Sequence, residues 1–335
     1  MNRIRLIFAF ILALSLTLFL GACTDNSQTP STPTPSNEIP NINNGDELHD
    51  WAKEYSHLGT GLTLGVVNDH ELTYDGVVFL DKITDTLNVQ FANLTDTSSE
   101  YVLKVFYDYE EVSFSVNGSD TFVSDHIFTV NTMTSLIIPI MLDDNLSFDN
   151  SHLLTIAILT APNKHAVDLD MMSNSYGVCS TYELANRNET RQINAKPTAI
   201  GTAMFLEITY QGLMLNTDFD AKDDNQVFFP PKEIKTGSGE TVRLAYRAGN
   251  YDENTGDVLF IVLVDWQQQG FNDNPFIYIS NNPGYMGYGE IEITAPIEQG
   301  KYDITGFIVR NPYELRNADI FELNDTCYRF TLVVE

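Results

Sequence analysis

The sequence predicts an all-β protein with two tandem β-sandwich domains, which follow an N-terminal leader and a disordered tether. Apolar and polar residues alternate with a period of two from Leu62 onward, and turn-rich spacers separate the alternating runs. Strong amphipathic helical patterns are absent, and roughly 100–200 residues per domain leaves room for two domains. We therefore expect a leader over 1–22, a tether over 23–46, and sandwiches over 47–190 and 191–335.

The leader has the organisation of a secretory signal. Arg3 and Arg5 form a short basic region, and residues 6–20 form an apolar run. This run is shorter than the roughly 20 apolar residues that a spanning helix needs. Residues 20–23 (Leu-Gly-Ala-Cys) resemble, position by position, the lipobox of bacterial lipoproteins.

The lipobox resemblance implies a lipid anchor. The Cys23 thiol would receive a diacylglyceryl group, and cleavage after Ala22 would leave Cys23 as the new N-terminus. Because stable anchoring needs two hydrophobic chains, a diacyl group is sufficient. The implied location is the extracytoplasmic face of the cell membrane, with the membrane as a partner through the lipid on Cys23.

The composition is strongly acidic. The full chain has a net charge of −28, and loss of Arg3 and Arg5 with the leader changes that charge to −30. Such a chain repels nucleic acid, so we expect no nucleic-acid partner. Acidic residues are spread through both halves, which is typical of a solvated surface.

The tether is rich in Ser, Thr, Pro and Asn. Residues 24–45 have too few apolar side chains to repay the entropy of folding, so we expect disorder. A partly extended tether of this length reaches up to roughly 70 Å. The pattern of residues 46–57 predicts a short helix. Asp46 would be its N-cap, and Leu48, Trp51 and Ala52 would lie on one side.

Alternating runs in the first half predict strands near 87–92, 101–108 and 112–116. Two further runs, 136–142 and 153–159, are apolar on both faces and are therefore predicted to be central strands. Each run is short, and this spacing is typical of a β-sandwich.

Residues 161–200 are polar and irregular, and we place the domain boundary there. The second half repeats the strand pattern, but we find no short sequence repeat, so the halves are at most divergent sandwiches. Its predicted strands are 203–210, 241–248, 258–264, 290–294, 300–309 and 328–334. The order of these runs resembles immunoglobulin-like modules of bacterial surface proteins over about 100 residues. That resemblance, which is one of pattern, implies an immunoglobulin-like architecture.

Two cysteines remain besides the lipidated one. Cys179 and Cys327 could form a disulfide across the halves in an oxidising exterior. Their spacing fits no disulfide framework, so unpaired thiols stay open as the alternative. The closing strand places Cys327 on the face of Arg329, opposite Tyr328 and Phe330, which argues against a buried thiol.

Calcium is the metal that the sequence allows. Hard oxygen ligands of the kind that Ca²⁺ requires occur close together at Asp218, Asp220, Asp223 and Asp224. The alternative is an acidic turn and no cofactor. The six histidines show neither HExxH nor HxH spacing, so we expect no His-based metal site.

An aromatic and amide-rich segment, 265–288, is the candidate ligand-binding region. It contains Trp266, Asn272, Tyr285 and Tyr288. Exposed rings can stack on the C–H faces of sugars, while amides bind hydroxyls, and loops often carry binding residues. The partners would be cell-wall or extracellular polysaccharide, or another surface protein. Alternatively, Trp266 closes one end of the sandwich and the tyrosines cover loop edges.

No catalytic motif is present in the sequence. GxSxG, SxxK, P-loop and strand-linked GxGxxG patterns are all missing. We predict no catalytic residues and a surface-anchored lipoprotein with a non-catalytic binding or structural ectodomain. One alternative is a carbohydrate- or cell-wall-polymer-binding module. Another is a surface glycoside hydrolase, which needs only two carboxylates at a suitable separation.

Overall fold

The structure is a computed structural model. It describes residues 47–55, 61–68, 72–73, 76–169, 177–204, 212–217, 231–249, 256–271, 273–280, 282, 285–315 and 323–335. These residues belong to one compact unit, Ile39–Glu335. The leader, Cys23 and the tether lie outside the described residues. The described part contains no helix with the length and apolar character needed to span a bilayer.

The described residues form β-strands and one short α-helix, α1 (Asp50–Tyr55), so the all-β prediction is confirmed. The strands before the predicted boundary are β1 Leu62–Asn68, β2 Leu72–Thr73, β3 Val77–Leu80, β4 Leu87–Asn93, β5 Ser99–Tyr107, β6 Glu110–Glu111, β7 Phe114–Val116, β8 Phe122–Val123, β9 His126–Val130, β10 Thr134–Leu142, β11 His152–Thr160 and β12 Gly177–Asn186. The strands after it are β13 Thr202–Met204, β14 Gly212–Asn216, β15 Glu233–Thr236, β16 Thr241–Gly249, β17 Val258–Val264, β18 Gln267–Gln268, β19 Ile277–Ile279, β20 Met286–Thr294, β21 Gly300–Arg310, β22 Leu323–Thr326 and β23 Phe330–Val334.

Helix α1 packs at the end of β4, which lies between β1 and β10 in its sheet. Trp51 and Ala52 pack against Ala92 and Leu94, with Leu48 beside them. These are the three side chains that the sequence places on one side of the helix. The predicted start of the helix is wrong: residues 47–49 are not helical, and the helix begins at Asp50 rather than directly after Asp46. Asp46 itself lies outside the described residues.

Each half contains an outer and an inner sheet. In the first half, the outer sheet has the order β2-β1-β4-β10-β7-β8, and the inner sheet contains β9, β5, β11, β12 and β3. In the second half, the outer sheet has the order β13-β20-β16-β14, and the inner sheet contains β19, β17, β21, β23 and β15. An apolar core fills each sandwich. The sandwich architecture predicted for both halves is therefore present.

A third apolar core joins the two halves. It lies between the two inner sheets, where the rings of Phe106 and Phe307 meet edge to face with centroids 5.2 Å apart. Strands β11 and β17 therefore have a core on both sides, which explains why almost every residue in them is buried. Strand β22 also pairs with both β12 and β21, so one hydrogen-bonded sheet extends across the halves.

The two halves repeat one strand pattern in the same register. Tyr107 of β5 pairs with Leu154 of β11, as Val264 of β17 pairs with Ile304 of β21. With these positions aligned, β9 corresponds to β19 and β12 to β23. Strands β3 and β15 also correspond, and both pair in parallel with their neighbours. Equivalent positions in the two halves can therefore be assigned residue by residue.

The structure has no disulfide between Cys179 and Cys327, a pairing that the sequence allows but does not require. Cys179 lies in the core between the halves, whereas Cys327 lies in the core of the second sandwich. The inner sheet of the second half separates these two cores.

The sequence analysis places the Cys327 side chain on the wrong face of the closing strand. Cys327 is buried, while Tyr328 is 45% exposed. The cause is one extra residue between β22 and β23: Thr326 pairs with Phe307, but Phe330 pairs with Ile304. Such a bulge reverses the alternation of side chains along the strand.

Candidate functional site

The candidate site is a cleft where the two halves meet at one end of their inner sheets. Its volume is about 340 Å³. Residues 110–113 and Ser124 line it from the first half, and Gln267, Gln268, Gly270 and Pro275 line it from the second. We call it the inter-half cleft. It includes part of the amide-rich segment that the sequence singles out.

Two tight turns bring these residues together. Asp108 and Tyr109 connect β5 to β6, and Asp265 and Trp266 connect β17 to β18; all four have positive φ angles, between 47° and 70°. Two consecutive left-handed residues define the type I′ hairpin, whose twist matches that of its strands. Asp tolerates this conformation well, and the aromatic residue that follows it packs into the core between the halves.

Glu111 and Gln268 form the floor of the cleft, and they occupy equivalent positions in the two halves. The backbone N–H of Glu111 donates to Gln268 Oε1 at 2.6 Å, and the backbone N–H of Gln268 donates to Glu111 Oε2 at 2.9 Å. Gln268 Nε2 also donates to the carbonyls of Tyr109 and Pro275, at 2.8 and 2.7 Å. The floor therefore hydrogen-bonds one half to the other.

A buried cation supports the floor from below. The Lys104 side chain is 0% exposed, and its ammonium donates to Glu111 Oε1. A charge without a partner in such a place is costly, so the carboxylate of Glu111 is needed there. The equivalent residue in the second half, Ile261, is apolar and lies in the same core.

A second polar cluster also joins the halves. Arg329 is buried, and it donates to the carbonyls of Thr160 and Lys164 in the first half at 2.8 and 3.0 Å. Its guanidinium lies 5.2 Å from the centre of the Trp266 ring. Burial lowers the pKa of Arg329, and the negative charge of Asp303 opposes that shift.

Asp303 and Asp265 are two neighbouring carboxylates, the kind of pair that the hydrolase alternative needs. Partial desolvation raises the pKa of Asp265, which remains exposed at the surface, and the nearby charge of Asp303 raises it further. Asp303 Oδ1 accepts from the Ala166 N–H and the Thr331 hydroxyl, both at 3.0 Å, and Oδ2 lies 3.3 Å from Arg329 Nε. Because Asp303 is almost completely buried and its oxygens hold these groups, its role is structural.

The structure does not bring the predicted aromatic residues together. Trp266 packs against the core between the halves, at the end of β17. Tyr285 and Tyr288 lie at the start of β20, beside the opposite end of β17. The length of β17 separates the two ends by about 20 Å. A single binding face would therefore not include all three rings.

The other predicted site residues lie outside the described residues. These are Asn272, the lipidation residue Cys23 and the four candidate calcium ligands Asp218, Asp220, Asp223 and Asp224. Within the part of the chain that is described, no three His, Cys, Asp or Glu side chains are grouped as metal ligands.

Sequence reasoning missed the contribution of residues 110–113 to the cleft. A signal was present: Asp108-Tyr109-Glu110-Glu111 follows one apolar strand, and Asp-Trp-Gln-Gln at 265–268 follows another. The two tetrapeptides share an Asp, an aromatic residue and two positions occupied by Glu or Gln. Aligning them would have indicated both the repeat and the paired turns.

No protein-family model matches this chain, and no curated protein matches it. Among solved structures, it resembles the C-terminal domain of the Streptococcus pyogenes antigen I/II-family protein AspA, with 8% identity, a TM-score of 0.23, and coverage of 82% of this chain and 99% of that one. The C-terminal domain of the Streptococcus agalactiae AgI/II polypeptide BspA gives 7% identity, a TM-score of 0.21, and coverage of 82% and 100%.

Red sea bream transglutaminase gives 11% identity and a TM-score of 0.23. The match covers 84% of this chain but only 32% of the transglutaminase. At TM-scores this low, none of these likenesses supports a function for this chain.

Proposed function

We propose that this protein is a membrane-anchored lipoprotein whose two-sandwich body is a non-catalytic binding or structural module. The anchoring part of the proposal rests on residues 20–23 and on the Pro- and Thr-rich segment that follows them. Two acyl chains on Cys23 would hold the protein at the membrane, and the tether would lift the body away from it.

The core between the two inner sheets is the structural observation that carries the second part. Domains in one chain normally move relative to each other unless their interface is large and apolar. Here the interface is apolar, and Lys104, Glu111, Asp303 and Arg329 add polar bonds within or across it. The apolar core thus holds the two halves as one joined body, which suits a rigid surface for contact better than a hinged active site.

Membrane fractionation of Cys23→Ser tests the anchor. We expect this variant to leave the membrane fraction or to keep its leader and run at a larger mass. Thr24→Ser, a change at the next residue, is the control and should behave like the unchanged protein. A Cys23→Ser protein of mature size that stays in the membrane would overturn the lipid anchor.

The non-catalytic part can be tested with the full-length protein in detergent. Incubation with chromogenic glycosides and with cell-wall polysaccharide should release no product above a buffer control. Product release that is reproduced by independent preparations would support the hydrolase alternative instead. Because activity and anchoring are measured separately, either part of the proposal can fail alone.

A further inference from the structure

We propose that the inter-half cleft binds a neutral, polyhydroxylated ligand such as a saccharide unit. The inference rests on the proposed role as an extracytoplasmic binding module, and it gives that module a site and a ligand class. It also moves the site away from the aromatic residues that the sequence favours. The arguments are the construction of the cleft, the chemistry of its lining and its charge.

The cleft is built from equivalent segments of the two halves. Glu110 and Ser113 correspond to Gln267 and Gly270, and these residues face one space. A ligand there would contact both halves at once. Because the third core fixes the halves together, the two sides of the cleft are held at a constant distance.

The floor of the cleft is already ordered. Both polar atoms of the Gln268 side chain are bonded, and Glu111 is held by Lys104 and by the Gln268 backbone. A ligand that binds a preorganised site spends less free energy on ordering side chains. The volume of about 340 Å³ is near the small end of the range for small-molecule sites.

The lining combines polar groups with two apolar ones, and a sugar can contact both kinds. Glu110, Ser113 and Gln267 are exposed, and their carboxylate, hydroxyl and amide groups can exchange hydrogen bonds with ligand hydroxyls. Val112 and Pro275 are half-buried and give apolar contact for a C–H face. A purely apolar ligand would leave the polar groups unpaired, which disfavours it.

The charge of the cleft selects against anions. Its lining contains Glu110 and Glu111 and no Lys or Arg among the described residues. Lys104 neutralises Glu111 from below, so Glu110 supplies the remaining negative charge. A uronic acid or phosphate group would be repelled by that carboxylate, whereas neutral hydroxyls would donate to it.

The test is an array of neutral and uronic-acid-containing oligosaccharides probed with the full-length protein in detergent. The unchanged protein should retain neutral oligosaccharides and reject the acidic ones. Ser113→Trp, which fills the cleft, should lower retention at least tenfold. Ser119→Trp places the same ring on an exposed turn of the same half and should leave retention unchanged.

Two further cleft variants and a second control keep the test decisive if Ser113→Trp folds poorly. Gln267→Ala removes an exposed amide from the other side of the cleft and should also weaken retention. Glu110→Gln should admit uronic-acid oligosaccharides that the unchanged protein rejects. Tyr285→Ala, at the opposite end of β17, should have no effect.

Failure of this inference is distinguishable from failure of the anchor. An array that retains no neutral oligosaccharide, or equal retention by the cleft-filling and control variants, overturns the cleft site. If Cys23→Ser is still released from the membrane in that case, the proposed function stands without it. Retention on the array combined with an unreleased Cys23→Ser protein would instead overturn the anchor alone.

Discussion

The buried pair of Lys104 and Glu111 gives the sharpest stability prediction, because the equivalent residue pair in the second half shows which residues can replace it. Lys104 is 0% exposed, so Glu111→Gln leaves a buried ammonium without its counter-charge. Loss of one partner from a buried ion pair costs about 3–5 kcal/mol. The equivalent residues of the second half are Ile261 and Gln268, which pack without an ion pair.

Combining Lys104→Ile with Glu111→Gln gives the first half the two residues that the second half has at these positions. Replacing a buried pair with groups of similar size is often neutral, so we expect the double variant within about 1 kcal/mol of the unchanged protein. Lys104→Ile alone should cost less than Glu111→Gln alone, because the Glu111 side chain is 13% exposed and keeps its bond to Gln268. The coupling between the two changes should therefore reach about 2 kcal/mol or more.

Urea unfolding followed by circular dichroism measures all four proteins of this cycle. The free energies of unfolding, calculated with one common m-value, give the coupling energy directly. Two results would refute the reasoning. One is a Glu111→Gln cost below about 1 kcal/mol, and the other is a double variant that loses the sum of the single costs.

Three further outcomes are expected. Burial raises the pKa of the Cys327 thiol to about 12, so a thiol reagent applied to Cys23→Ser protein should label neither Cys179 nor Cys327 until denaturant is added. Two thiols that never react, even when unfolded without reductant, would indicate a disulfide. Partial desolvation also raises the pKa of Asp265 above 3.8, so its charge destabilises the fold at neutral pH, and that penalty disappears once the pH falls below 3.8. Asp265→Asn should therefore raise the melting temperature at pH 7 but not at low pH; an equal effect at both would contradict a charge-based cause. Gly306→Ala would place a Cβ only 2.4 Å from a backbone carbonyl and should cost about 1–3 kcal/mol in urea unfolding, whereas Gly61→Ala meets nothing within 4 Å and is the tolerant control.

The sequence predicts the strands well because burial on one face imposes a period of two. It also marks the central strands: residues 258–264 are apolar throughout, residues 153–159 are apolar except for Thr155, and both prove to have a core on each side. Residues 136–142 also form a central strand, between β4 and β7, but their sheet is an outer one and several of their side chains are partly exposed. Apolar content alone does not distinguish a central layer from an outer sheet with apolar residues on its exposed face.

The candidate site was harder to predict because it depends on contacts between distant segments. Gln268 lies in the amide-rich segment that the sequence highlights, but its partner Glu111 is 157 residues away. The bulge before β23 was missed for a different reason. One inserted residue leaves the composition of the strand unchanged, yet it exposes Tyr328 and places Cys327 in the core of the second sandwich.

The third core also has a consequence for how each half can evolve. Two separate sandwiches that associated through this face would have to meet by diffusion, and they would lose entropy on association. Covalent linkage replaces that step with an effective concentration in the millimolar range or above. An interface between linked halves can therefore accept side chains that would weaken a free dimer, and the buried lysine in the first half is such a side chain.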